Sequence, residues 1–171
     1  MKEVLIVIDM QKDFLTGALG NEQTASVTEK VREKIETARK AGKEIVFTRD
    51  THFENYLETQ EGKRLPVTHC IKGSDGWQIA DGLYQDGEKI FDKPTFGSLE
   101  LAEYVQNGGY AKAELCGVCT DICVVSNALL LKAFCPELQV FVSASACAGV
   151  TVGSHLSALK TMSMCQVEVT E

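Results

Sequence analysis

Proline, tryptophan and histidine are all scarce in this chain, at 3, 1 and 3 residues of 171. So little proline leaves no stiff linker, and no repeat or low-complexity tract divides the sequence. A chain of this length buries one substantial core and hardly two, so a single domain over residues 1–171 is expected. Positive charge is also short, with 17 Lys and Arg against 24 Asp and Glu for a net charge of -7. That balance opposes phosphate backbones and anionic lipid, so no nucleic acid and no membrane partner is expected. Long hydrophobic runs are missing too. The apolar opening Val4 to Ile8 is far too short for a membrane span and ends in Asp9 rather than a small-residue cleavage site. Cysteine, by contrast, is plentiful at 7 residues, but the number is odd and Cys116, Cys123 and Cys135 sit within apolar runs. Free thiols in a cytoplasmic setting fit this better than a disulfide framework.

The hydrophobic pattern alternates between two periods. Val4 to Ile8 is a continuous aliphatic run, as in a strand covered on both faces. From Thr24 to Ala41, Ala25, Val27, Val31, Ile35 and Ala38 recur at helical intervals before Gly42. Further strands are expected at Glu44 to Thr48, Lys89 to Phe91, Ala113 to Leu115, Val140 to Val142 and Val167 to Val169. Further helices are expected at Leu99 to Val105, Thr120 to Phe134 and Ser154 to Met164, while Thr51 to Gly76 lacks a sustained period and reads as a long excursion. Strands alternating with helices predict an α/β fold: a doubly wound, mostly parallel sheet of about six strands with helices on both faces.

Such sheets bind ligands beyond the carboxyl ends of their strands, and Asp9, Asp50, Lys93 and the segment Gly117 to Cys123 all fall at strand ends. Cys123 lies in the first turn of the helix that Thr120 or Asp121 could cap, where helix amides would favour its thiolate. A free thiol of pKa about 8.5 is only slightly ionised at neutral pH, so such help would matter for a nucleophile. Asp9 could take the thiol proton and return it to a leaving amine, and Lys93 could balance the two negative charges. Backbone amides at the helix start could hold an oxyanion. Each residue also has an ordinary reading: a turn aspartate, a solvated lysine, a core cysteine. Cys119 is the one rival thiol, and the other cysteines read as core. Asp50 and His52, two apart, can meet one ion, and His69 with Glu61 completes a mixed oxygen and nitrogen set suited to zinc, iron or manganese.

Together these residues resemble the isochorismatase-like cysteine hydrolase superfamily, and within it the nicotinamidase (pyrazinamidase) branch. Val7-Ile8-Asp9-Met10-Gln11-Lys12-Asp13-Phe14 is similar to the opening strand with its catalytic Asp and substrate-facing Phe. Thr48-Arg49-Asp50-Thr51-His52 and Thr68-His69-Cys70 resemble the metal segments, and Lys93-Pro94-Thr95-Phe96 the catalytic Lys segment. Gly117-Val118-Cys119-Thr120-Asp121-Ile122-Cys123-Val124 resembles the nucleophile motif, in which the second cysteine attacks. The resemblance implies an isochorismatase-like fold and a cysteine amidohydrolase that cleaves a small primary amide through a thioester, nicotinamide to nicotinate and ammonia in the first instance. It implies Asp9, Lys93 and Cys123 as catalytic residues and the amides of Cys119, after a cis peptide bond, and Cys123 as oxyanion donors. It further implies Phe14 and Phe96 in the substrate pocket and one divalent metal, zinc foremost, on Asp50, His52, Glu61 and His69, with Glu58 the substitute for Glu61. In that branch the metal holds the pyridine nitrogen or ordered water, and homo-oligomers are common. The chain departs from the branch at Leu65-Pro66-Val67-Thr68, where many members carry a Trp that stacks on the pyridine, and its own Trp77 lies after the histidine and reads as structural. That departure keeps open another small amide, a carbamoyl or a ureido compound as substrate. From a different class, a noncatalytic metal or thiol-redox binding module would use the same residues.

Overall fold

A computed structural model describes residues 2–171. In chain order it runs through β1 (Glu3–Ile8), α1 (Lys12–Leu15), α2 (Glu22–Ser26), α3 (Thr28–Lys40), β2 (Glu44–Asp50), a 3-10 turn (Tyr56–Glu58), α4 (Gln60–Arg64) and β3 (Lys89–Lys93). The second half follows with α5 (Leu99–Gly108), β4 (Lys112–Val118), a π-helical turn (Thr120–Val124), α6 (Val125–Phe134), β5 (Gln139–Ala148), α7 (Val152–Met164) and β6 (Val167–Thr170). The six strands form one wholly parallel sheet in the order β3-β2-β1-β4-β5-β6. Right-handed crossovers that travel from β1 toward β3 and from β4 toward β6 place their helices on opposite faces, which gives the doubly wound α/β architecture. Accordingly α3 packs across β1, β2, β4 and β5, while α5, α6 and α7 pack beside one another.

Burial explains why β1 is aliphatic along its whole length: Val4 to Ile8 are all buried, being covered on both faces. The amphipathic α3 buries Val31, Ile35 and Ala38, spaced to fall on one side of the helix. No described helix is long and apolar enough to cross a membrane.

Several boundaries differ from the sequence expectation for identifiable reasons. The helix expected from Thr24 to Ala41 is two helices, α2 and α3. Asn21 caps α2, with its side chain accepting from Thr24 N–H and its own N–H bonding the Thr24 hydroxyl, and the Val27 N–H turns back to Ala25 O. The helix expected from Thr120 opens with the π-helical turn, and neither Thr120 nor Asp121 caps it. Thr120 Oγ1 instead bonds His155 Nδ1 at 2.8 Å, and the Asp121 carboxylate accepts from Val150 N–H at 3.2 Å. β5 continues past Val142 through Ser143-Ala144-Ser145, weak strand formers where the register against β4 shifts before pairing resumes at Cys147. The excursion after Thr51 contains the 3-10 turn and the short α4, both too brief to show a period.

The order of the strands reverses between β1 and β4, where Ile8 pairs with Gly117. Gly117 has φ +117, and a Cβ built there would lie 2.1 Å from Ile8 O. Gly117→Ala should therefore combine backbone strain with a clash against an immovable carbonyl, costing roughly 3 kcal/mol. Thermal unfolding followed by circular dichroism should show Tm lowered by about 6 to 12 °C. An unchanged Tm would refute this account of the switch point.

Candidate active site

Three strand ends meet at that switch point, and the register sets which side chains converge. Asp9 leaves β1 in a left-handed conformation, φ 47, which turns its carboxylate back toward β2. There the Thr48 hydroxyl donates to Asp9 Oδ1 at 2.5 Å and accepts from Asp9 N–H at 3.1 Å. Asp50 and Lys93 are register partners across β2 and β3. β3 runs two residues past the expected end at Phe91, so Lys93 is its last residue, and its ammonium reaches inward. Lys93 Nζ lies 2.7 Å from Asp9 Oδ2, 3.3 Å from Asp50 Oδ1 and 3.3 Å from Cys123 Sγ, and donates to Thr95 O at 3.2 Å. Asp9, Lys93 and Cys123 are therefore brought together, all buried, with Lys93 only 1% exposed.

Burial dominates the electrostatics. It raises the pKa of Asp9 despite the Lys93 charge beside it. It opposes the charge on Lys93, but Asp9, Cys123 and Asp50 together hold that ammonium well above its ordinary pKa. Burial also pushes the Cys123 thiol well above its usual value, against the pull of Lys93. Desolvation thus works against the thiolate expected from the helix start. Cys119 stands at the N-cap of the turn after a cis peptide bond with Val118, half-buried, its thiol raised by burial to about 12. Of these two thiols, Cys123 is the one within hydrogen-bonding distance of Lys93.

Beside this group, one ligand atom from each of Asp50, His52, Glu61 and His69 lies within 4.8 Å of the others. Glu58 is exposed and is not among them, so Glu61 is the acid that faces the imidazoles. His52 Nε2 lies 2.9 Å from Asp50 Oδ2 and 3.6 Å from Glu61 Oε1, yet it is buried without an aligned hydrogen-bond partner. His69 Nδ1 contacts Val67 O at 2.8 Å, which requires the proton on Nδ1 and leaves the Nε2 lone pair facing the cluster. An orphaned buried nitrogen among two carboxylates and a second imidazole suits a divalent cation. Burial opposes ionisation of Asp50, but contacts with His52 and His69 and the charge of Lys93 outweigh it, so its pKa falls well below the ordinary range. Glu61 is raised by burial and by the nearby Asp50 charge.

Both groups open on one cavity of about 170 Å³. Asp50, His69, Glu61, Cys119 and Cys123 supply its polar side. Phe14, Leu65, Phe96, Ile122 and Val150 form its apolar walls. Phe14 meets the His69 ring edge to face at 5.7 Å, and Phe96 is 44% exposed at the mouth. Leu65 stands in the wall where an aromatic residue was missed in the sequence. Trp77 is buried away from the cavity lining, donating to Thr51 Oγ1 at 2.9 Å beneath the Arg49 guanidinium.

Sequence reasoning missed the residues that hold these groups in place. Gln11 is fully buried: its Nε2 donates to Asp50 O and Trp77 O, both at 2.9 Å, and its Oε1 accepts from Asp50 N–H at 2.7 Å. Tyr56 packs against His52 and His69 with ring centroids at 4.6 and 5.0 Å. Thr48 and Asn127 belong with them, since each bonds an atom of Asp9 or Cys123. Its place two residues beyond Asp9, among other polar residues, gave Gln11 no signal of its own in the sequence.

Comparison with known proteins adds relatives to this geometry. The isochorismatase domain family matches residues 3–171. An uncharacterized isochorismatase family protein PncA of Bacillus subtilis (strain 168) is 27% identical over 177 residues, covering 93% of this chain and 93% of its own. The solved pyrazinamidase of Pyrococcus horikoshii, in complex with zinc, is similar with a TM-score of 0.87 and 28% identity, over 100% of this chain and 99% of that one. A nicotinamidase/pyrazinamidase PncA from Bacillus subtilis gives a TM-score of 0.87 at 24% identity over 100% of both chains, a likeness of fold. With a six-stranded parallel sheet shared with these structures and a family match over nearly every residue, the chain belongs to the isochorismatase domain family.

Proposed function

We propose that this chain is a cysteine amidohydrolase that cleaves small, uncharged primary amides, nicotinamide foremost, to the acid and ammonia. The observation that carries this reading is the ammonium of Lys93 held 2.7 Å from the Asp9 carboxylate and 3.3 Å from the Cys123 sulfur. A buried thiol with a raised pKa needs a base in contact to become a nucleophile, and Asp9, itself raised, is matched to take and return one proton.

In the reaction, Cys123 Sγ bonds to the amide carbon while its proton passes to Asp9. The developing oxyanion is directed to the backbone N–H groups of Cys119 and Cys123, where each donor is worth about 3 to 4 kcal/mol of barrier. Asp9 then protonates the leaving nitrogen, ammonia departs and a thioester remains. Water attacks the thioester with Asp9 again taking a proton, and the sulfur leaves to be reprotonated. Throughout, the Lys93 charge permits either Asp9 or the sulfur to be anionic in a site that excludes solvent. Asp50, His52, Glu61 and His69 would hold one divalent ion, zinc foremost by analogy with the pyrazinamidase from Pyrococcus horikoshii. When bound, that ion supplies a Lewis acid for a lone pair of the substrate or of water.

The cavity supports an uncharged substrate: none of its lining side chains is Lys or Arg that could pair a carboxylate, and the ion held by Asp50 and Glu61 would be balanced by their charges. Phe14 and Phe96 suit a flat ring between apolar walls. A second reading, favoured by Leu65 in the wall, keeps the chemistry and replaces nicotinamide with another small amide or carbamoyl or ureido compound. Free cysteines throughout suit a cytoplasmic setting for either.

An ammonia-release assay over a panel of amides on zinc-loaded protein decides between them. Nicotinamide and pyrazinamide should be turned over faster than other small amides, carbamoyl and ureido compounds, and faster than amides that bear a carboxylate. Faster turnover of another small amide, carbamoyl or ureido compound would favour the second reading, and faster turnover of a carboxylate-bearing amide would overturn the neutral-substrate reading. Cys123→Ala should lose on the order of 10⁴-fold or more in kcat. Mass spectrometry of quenched wild-type protein should find the acyl group on Cys123, whereas its absence together with no ammonia release from any amide of the panel would favour a noncatalytic binding module.

Gln11→Leu removes the hydrogen bonds that orient the Asp50 backbone without touching the ligand atoms. Zinc affinity measured by competition with a chelator should fall about 10- to 100-fold. Wild-type affinity in that variant would disprove the positioning role.

A further inference from the structure

One buried amide joins the two halves of the site. Asn127 lies on α6 four residues after Cys123 and is 1% exposed. Its Nδ2 donates one hydrogen to Cys123 O at 2.8 Å and the other to Phe96 O at 3.1 Å, while its Oδ1 accepts from Ser98 N–H at 2.9 Å. Each of those partners belongs to a different segment: the π-helical turn, the loop that follows Lys93, and the start of α5. Both donor hydrogens are thus committed and the oxygen accepts one bond, three of the four hydrogen bonds open to a carboxamide.

We propose that Asn127 is a positioning residue that fixes the nucleophile turn to the loop carrying Lys93 and Phe96, and so sets both the reach of Cys123 and the place of the Phe96 wall. The inference rests on reading Cys123 as the nucleophile. Lys93 Nζ already anchors its own loop through Thr95 O. Asn127 makes the corresponding backbone link one residue further on, at Phe96, and carries it across to Cys123. The side-chain contact between Lys93 and Cys123, at 3.3 Å, is therefore bracketed by a rigid bridge between the two backbones. A displacement of about 1 Å at such a contact can lower a rate by about 100-fold.

The two carbonyls allow the bridge to be cut in different ways. In N127D one carboxylate oxygen still accepts from Ser98 N–H, but the other faces the carbonyls of Cys123 and Phe96 and repels both. In N127T the hydroxyl can donate back to the carbonyl four residues earlier, Cys123 O, and the link to Phe96 is lost. The nucleophile can be read without the amide by using p-nitrophenyl acetate. Its acetyl carbon bonds to Cys123 Sγ as the ester C–O bond breaks, p-nitrophenolate leaves, and the thiol proton passes to Asp9.

N127D should slow both this acylation and amide kcat by about 10- to 100-fold. N127T should keep most of the acylation rate while raising KM for the amide, because Phe96 is released. Circular dichroism melts give the folded fraction at the assay temperature, and rates are compared per folded molecule. Wild-type acylation in N127D, or losses in both variants that only track the folded fraction, would overturn the positioning role. If wild-type protein is acylated at Cys123 but leaves nicotinamide intact, the proposed amide fails while the acylation rates still decide Asn127. A wild-type protein not acylated at Cys123 would overturn both.

Discussion

A lysine ammonium sealed inside the protein is the constraint on which this structure turns. Lys93 is almost wholly buried, and a charge there persists only because anions surround it. Removing one partner of a buried pair typically costs about 3 to 5 kcal/mol, since the survivor is left uncompensated. Asp9 meets it from β1 and Asp50 from β2, so the outer strand β3 is tied to the sheet electrostatically as well as through its ladder. The same three charges that hold the sheet's rim together are those that set the proton affinities of the site.

Lys93 also separates two chemistries that share one wall. On one side lies Asp9 with the Cys123 sulfur, and on the other the cluster of Asp50, His52, Glu61 and His69. Asp50 belongs to both, with Oδ1 toward Lys93 and Oδ2 toward the imidazoles. Burial pushes both aspartates up, but it prevails only at Asp9, because at Asp50 the neighbouring His52 and His69 and the Lys93 charge outweigh it. One acid thus stays available for a proton while the other stays charged.

Much of this was legible in the residue order, and the physics says why. The parallel sheet follows from Val4 to Ile8, whose unbroken apolar run has only one comfortable place. Strand ends are legible once strands are, so Asp9, Asp50 and Lys93 could be placed on one rim, and the Asp50-x-His52 spacing survives in any extended segment. What stayed hidden depends on register or on solvent. That Thr48 would face Asp9, or that Gln11 would reach the Asp50 backbone, follows from pairings that no local pattern encodes. The break at Val27, where the backbone N–H turns back to Ala25 O, leaves the apolar spacing on either side intact, so periodicity does not register it. Around Cys123 the helix start is visible in sequence, whereas the depth of burial that raises its thiol pKa is not.

Asp9 carries a final consequence. Its left-handed backbone, φ 47, lies in a region that among ordinary residues only asparagine and aspartate enter at low cost. The carboxylate and the bend are therefore supplied by a single residue type, and any drift at this position is filtered twice, once by the chain's path and once by its charge. Asparagine passes the first filter and fails the second, which makes it the natural way for a descendant to keep the scaffold and abandon the chemistry.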